Sequence, residues 1–199
     1  MSFGLTEDEL KFEIHKMDGF TDAERDKFIR ATAKAQKVLN SKKFRERFLA
    51  LPLEQTQNKT NLEIYQMIMS GADKLNKEND GDIDVQITMY YSFNNTVGYT
   101  YPDTWFTWIN RKFFTNYNEA DVACNIMHEY MHNLGFGHRK ASDHSSVPYA
   151  TGYLVEALIR EDTGQQEPPP VIQKPESGKK WVCKRSWRTL WLKVICDWE

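Results

Sequence analysis

From Ile83 the chain alternates: Ile83, Val85, Ile87 and Met89 are apolar, and Asp84, Gln86 and Thr88 between them are polar. Successive side chains of a strand point to opposite faces, so a period of two predicts a strand with one buried face. Thr96 to Tyr101 is aromatic and β-branched, and Trp105-Phe106-Thr107-Trp108-Ile109-Asn110 reads as a further strand, with Pro102-Asp103 as the turn between them. Upstream the period changes. Leu62, Tyr65, Met69, Ala72 and Leu75 recur at helical spacing, a stripe that serves core packing rather than a partner helix. Three S/T-x-x-E capping boxes, Thr6 with Glu9, Thr21 with Glu24 and Thr60 with Glu63, mark helix starts, and Ala50-Leu51-Pro52-Leu53 marks a break between helices. Downstream, Val122, Ile126, Tyr130 and Leu134 form the apolar stripe of another helix. Asn118 is its N-cap, and Glu119 and Asp121 lie where the helix dipole favours acids. Tyr153 to Arg160 predicts one more short helix.

These patterns divide the chain. Residues 1–79 read as a helical, polar-surfaced N-terminal part, scaffold for the rest or a separate extension. Asn79-Asp80-Gly81-Asp82 is a turn; Asp82 and Asp84 hint at calcium, yet the spaced oxygen set of a calcium loop is missing. Residues 80–164 form the core. Residues 165–178 are a linker, stiffened by Pro168-Pro169-Pro170. In the tail, 179–199, Lys179, Lys180, Lys184, Arg185, Arg188 and Lys193 interleave with Trp181, Trp187, Trp191 and Trp198. That mixture suits a glycan, an anionic polymer or a membrane surface; equally, it suits a small hairpin folded back on the core, with Cys183 near Cys196.

At 199 residues the chain can bury one sizeable core. A net charge of −2 argues against nucleic acid as a partner. There is no apolar run long enough for a transmembrane segment. The acidic start, Thr6-Glu7-Asp8-Glu9, is unlike a secretory signal, so the expected location is cytoplasmic by default, or outside by a route that needs no signal. Three cysteines are too few for a disulfide framework, and Cys124, inside the downstream helix, reads as a small packed hydrophobe.

The chemistry concentrates between His128 and His138, which read H-E-x-x-H-x-x-G-x-x-H. Residues four apart share a helix face, so His128 and His132 aim two imidazoles at one point, with Glu129 beside it to hold water. Gly135 lets the chain turn sharply and return His138 as a third nitrogen. Three protein ligands and an open position make a catalytic zinc site; structural zincs are closed by four. With five His in the chain, three at these spacings arise by chance roughly 0.003 times, so accident is set aside. Glu156 is a rival third ligand, but the His138 spacing fits better. His144 reads as incidental.

The motif is similar to the zinc signature of the metzincin metalloproteases. That family carries a Met-turn downstream, commonly S-x-M-x-Y; here Ser145-Ser146-Val147-Pro148-Tyr149 keeps the Ser and Tyr and puts Val147 where Met would stand. The close likeness covers about a dozen residues and a weaker pattern residues 80 to 164. The resemblance implies an α+β fold: a mixed, mostly parallel twisted sheet on an active-site helix, an antiparallel edge strand at the cleft, and a small C-terminal subdomain. It places residues 104 to 110 at that edge, with Trp105, Thr107, Trp108 and Asn110 binding substrate backbone. The implied activity is that of a zinc metalloendopeptidase acting on peptides or proteins: one zinc on His128, His132 and His138, Glu129 as general base, Tyr149 as a donor to the oxyanion. The alternative is an inactive zinc-binding or polymer-binding module targeted by its tail.

Overall fold

The computed structural model describes residues 9–72, 80–101, 106–139 and 143–164, together with the backbone of 181–185 and 194–198. Its class is α+β. Strand β1 (Lys11–Asp18) is followed by three helices, α1 (Asp22–Leu39), α2 (Lys42–Leu49) and α3 (Asn61–Met69). Strands β2 (Asp82–Tyr90), β3 (Gly98–Thr100) and β4 (Phe106–Asn110) come next, then the short α4 (Arg111–Phe114) and two longer helices, α5 (Glu119–Asn133) and α6 (Val147–Asp162). Four strands make a mixed sheet in the order β1-β2-β4-β3, in which β1, β2 and β4 run parallel and β3 runs antiparallel.

The alternation along β2 buries Ile83, Val85, Ile87 and Met89. Phe28 of α1 and Ile126 and Tyr130 of α5 meet that face. The opposite face is not simply solvated, because Asp84 and Gln86 are buried too. Asp84 hydrogen-bonds His15 of β1, which raises the pKa of that imidazole. Burial and the charges of Asp80 and Asp84 push Asp82 up to about 6.

Residues 1–79 are therefore not wholly helical. β1 is hidden from a period-two reading by a register shift between Ile14 and Lys16, which displaces the alternation of Phe12, Ile14 and Met17. Its partner also lies some seventy residues away in sequence, Lys11 opposite Asp82, so no local signal announces it. Because β1 closes one side of the same sheet, the N-terminal part belongs to the body that carries the motif. The capping boxes at Thr21–Glu24 and Thr60–Glu63 start α1 and α3; Thr6 lies outside the described residues, as do Leu75 and the linker.

Helix α6 begins earlier than its apolar run suggests. Ser146 holds the N-cap position, with its hydroxyl donating to the Asp143 carbonyl and not capping the helix, and Pro148 sits in the first turn, where a missing N–H costs nothing. Ser145 to Tyr149 thus form the entry to a sixteen-residue helix. In the tail, β5 (Trp181–Arg185) and β6 (Val194–Trp198) pair antiparallel as a two-stranded sheet with Cys183 opposite Cys196. No helix among the described residues is long and apolar enough to cross a membrane.

Candidate metal centre

Helix α5 carries the motif and is fixed at both ends. At its start Asn118 accepts from the backbone of Ala120 and Asp121, and the Asp121 carboxylate accepts from the Asn118 N–H, a reciprocal capping box. At its end Leu134 is the C-cap and Gly135 takes φ +92°, the left-handed value glycine reaches without a Cβ penalty. Val122, Ile126, Tyr130 and Leu134 are all buried, as the stripe predicts. The following residues then bring His138 back toward the helix.

The three histidines meet. One ring nitrogen from each of His128, His132 and His138 lies within 4.8 Å of the others, a group that could hold a metal ion. His132 Nε2 is 3.2 Å from His128 Nε2. The other nitrogen of His132, Nδ1, donates to the Phe136 carbonyl at 2.7 Å, which orients the ring and leaves Nε2 a lone pair. Burial, and then the proximity of His132 and His138, push His128 down to about 3, so its ring is neutral. Neutral imidazoles are what a metal needs.

Glu129 lies on the same turn of α5 and is 3% exposed. Burial alone pushes its pKa up to about 8. Its Oε2 is buried and has no hydrogen-bond partner among the described residues. An orphaned carboxylate oxygen beside three converged imidazoles is a structural cost that a bound water or substrate would relieve. Gly98 on β3 makes room for it: a Cβ there would stand 3.1 Å from Glu129 Oε1 and 3.0 Å from Asn125 Oδ1.

Tyr149, in the first turns of α6, lies against the trio, with ring centroids 4.4 Å from His128 and 4.8 Å from His138. Val147 is fully buried. The close approach of α6 to α5 depends on Gly152, where a Cβ would fall 2.7 Å from the Cys124 carbonyl oxygen. His144 packs near Tyr149 and Tyr153, and its Nδ1 is buried with no partner among the described residues. Glu156 is not in the metal group. It pairs with Arg160 and lines the same cleft, a space of about 790 Å³ that runs from Asn95 and Gly98 past the histidines to Tyr153.

The strand at the cleft differs from expectation. β4 has β2 on one side and β3 on the other, so residues 106–110 offer no free edge for an added strand. The outer edge belongs to β3, Gly98–Thr100, and Gly98, Tyr99 and Thr100 line the cleft. Of the four residues expected to bind substrate backbone, Trp105 lies outside the described residues. Thr107 is half-buried and lines a small pocket with residues of α1 and α5, and Trp108 stacks on Tyr99 at 5.1 Å. Asn110 is fully buried and spends its amide on the backbone of residues 92 to 112. Of the inner wall of the cleft, Tyr117, Asp121, Cys124, Tyr153 and Glu156, the sequence singles out Glu156 alone as a site candidate, and then as a metal ligand. The i, i+4, i+7 spacing of Tyr149, Tyr153 and Glu156 was its one sequence signal. Comparison of the chain with protein-family models, with curated proteins and with solved structures found no match in any of the three.

Proposed function

We propose that the chain is a zinc-dependent endopeptidase of metzincin-like build. The observation that carries this reading is the convergence of three imidazoles, two of them from α5, in the cleft that also holds the buried, orphaned carboxyl of Glu129. The donor set fits zinc. An ion bound tetrahedrally at about 2.0–2.1 Å holds its nitrogens about 3.3 Å apart, close to the 3.2 Å between His128 Nε2 and His132 Nε2. His128, His132 and His138 would hold the ion, leaving one position open. The mixed sheet with an antiparallel edge strand, and Tyr149 against the trio, agree with the metzincin likeness.

When bound, zinc supplies Lewis acidity toward water and toward a peptide carbonyl. Glu129 accepts the proton of the attacking water and returns it to the leaving amine nitrogen as the C–N bond breaks. Tyr149, whose phenol burial keeps neutral, donates its O–H to the oxyanion that forms on the former carbonyl. An extended peptide lies along the outer edge of β3 and takes backbone hydrogen bonds there.

Elemental analysis of zinc-loaded protein and a peptide-library digest, each repeated on Glu129→Gln, test this. The expected result is one zinc per chain in both proteins, with cleavage falling on the order of 10²–10⁴-fold in the variant. Zinc below stoichiometry, or full cleavage by Glu129→Gln, overturns it. Stoichiometric zinc with no cleavage by either protein assigns the chain to the inactive binding class instead.

A further inference from the structure

Beyond the three histidines the cleft does not end. It continues between the first half of α5 and the middle of α6, where Tyr117, Tyr149 and Tyr153 form its walls and Asp121 and Glu156 its far end. Tyr149 and Tyr153 stack at 5.8 Å, and Glu156 follows on the same face of α6. The rise from Tyr149 to Glu156 is about 10 Å of helix, so only a long side chain entering beside the histidines reaches the carboxylates.

The two carboxylates there are not equally engaged. Arg160 Nη2 lies 2.5 Å from Asp121 Oδ1 and 2.8 Å from Glu156 Oε1, and its Nε donates to the same Glu156 oxygen at 2.9 Å. One guanidinium thus serves two carboxylates. Asp121 is fully engaged, because its Oδ2 accepts the Asn118 N–H at 2.9 Å. Glu156 has spent Oε1 alone, which leaves Oε2, with no stronger neighbour than the Cys124 thiol among the described residues, for a donor entering the cleft. Lys27, whose ammonium donates to the carbonyls of Phe114 and Tyr117, acts on the charge of Asp121 and is not among the partners of Glu156. Burial holds the Tyr117 phenol at about 12 and the Cys124 thiol well above its ordinary value, so neither adds charge.

We propose that this inner lobe receives a substrate side chain ending in a cation, lysine or arginine, beside the bond that is cut, and that Glu156 is the residue that selects it. The inference rests on the peptidase reading above. A lysine or arginine stem lies against the tyrosine rings, whose faces attract cations, and its head donates to Glu156 Oε2. An apolar side chain of the same length would strip water from Glu156 and give nothing back. An acidic one would meet two carboxylates.

Two measurements test the proposal on the full, zinc-loaded chain. A peptide library randomised on both sides of the scissile bond should be cut with a lysine or arginine preference over norleucine of about 10- to 100-fold, the worth of a hydrogen bond to a charged group. In Glu156→Gln, which keeps an oxygen for Arg160, that ratio should fall to within about threefold. Calorimetric binding of two peptide hydroxamates that differ only in a lysine or a norleucine side chain needs neither turnover nor a variant. The lysine form should bind wild type tighter by a similar factor. Cleavage and binding with no lysine preference overturn the selection by Glu156 and leave the peptidase reading standing. No cleavage together with no binding of either hydroxamate overturns both.

Discussion

Replacing Asn110 by alanine removes one amide from a fully buried position and strands four backbone groups. Its Oδ1 accepts from the N–H of Ser92 at 3.1 Å and of Lys112 at 3.2 Å; its Nδ2 donates to the carbonyls of Ser92 at 3.0 Å and Thr96 at 3.1 Å. These bonds staple the end of β4 and the start of α4 to the loop that leads into β3, the edge of the cleft. At about 1 kcal/mol net per bond, and less where a freed group finds water, Asn110→Ala should cost about 3 kcal/mol. For a body of this size that is a fall in Tm of roughly 6–12 °C. Asn110→Asp separates donors from acceptors. It keeps the two accepted bonds but turns a carboxylate oxygen toward the carbonyls of Ser92 and Thr96, so its loss should shrink as the pH is lowered and the carboxyl protonates. The assay is urea and thermal denaturation followed by circular dichroism, beside peptide cleavage at saturating and limiting substrate. If Asn110 instead held substrate, Asn110→Ala would raise KM and leave the unfolding curve in place. Stability within about 0.5 kcal/mol of wild type would refute the stapling role.

Three further outcomes follow from the same geometry. Gly152→Ala gains about 1 kcal/mol in helix propensity but drives a Cβ to 2.7 Å from the Cys124 carbonyl; overpacking at about 1–3 kcal/mol should win. Tm and peptide cleavage should both fall as α6 carries Tyr149 away from the histidines, and a rise in Tm would refute this. Asp82→Asn tests the raised carboxyl on β2. A folded-state pKa of about 6 against an ordinary 3.8 means the folded state holds the proton more tightly. Stability from this group is therefore greatest below about pH 4 and declines as the pH rises through 6. Discounted for partial exposure, the variant should be more stable than wild type by about 1 kcal/mol at pH 8 and no different at pH 4 in urea titrations. Arg160→Met leaves Asp121 and Glu156 facing each other without their shared cation, and should cost about 2 kcal/mol by the same titration.

How far these features could be read from the residues depends on how local their causes are. Helix α5 is legible almost whole, since its N-cap, apolar stripe, terminal glycine and the i, i+4 histidines all act within one segment, Asn118 to Gly135. The capping boxes of α1 and α3 are legible for the same reason. β1 is not, because a bulge breaks its alternation and its pairing is with a strand seventy residues on. The order of β3 and β4 is not legible either. Both have strand-like composition, and which of them takes the outer position is decided by pairing that neither segment encodes alone.

The site divides along the same line. That His128 and His132 share a point is a property of any α-helix, whereas the neighbours that give Glu129 and Tyr149 their setting come from distant segments. Gly98 illustrates the difference. Its φ is not in the left-handed region, so nothing in its own backbone calls for glycine, and inside a strand glycine ordinarily weakens the pairing. Its reason appears only when β3 is laid beside α5, where a Cβ would crowd Asn125 Oδ1, Glu129 Oε1 and the Trp108 carbonyl at 3.0–3.1 Å. The absent side chain lets the strand that borders the cleft approach the helix that carries the carboxylate. An alanine at Gly98 would have to push either the strand or the carboxylate aside, so the spacing between the cleft edge and Glu129 is set by a residue that offers no side-chain chemistry of its own.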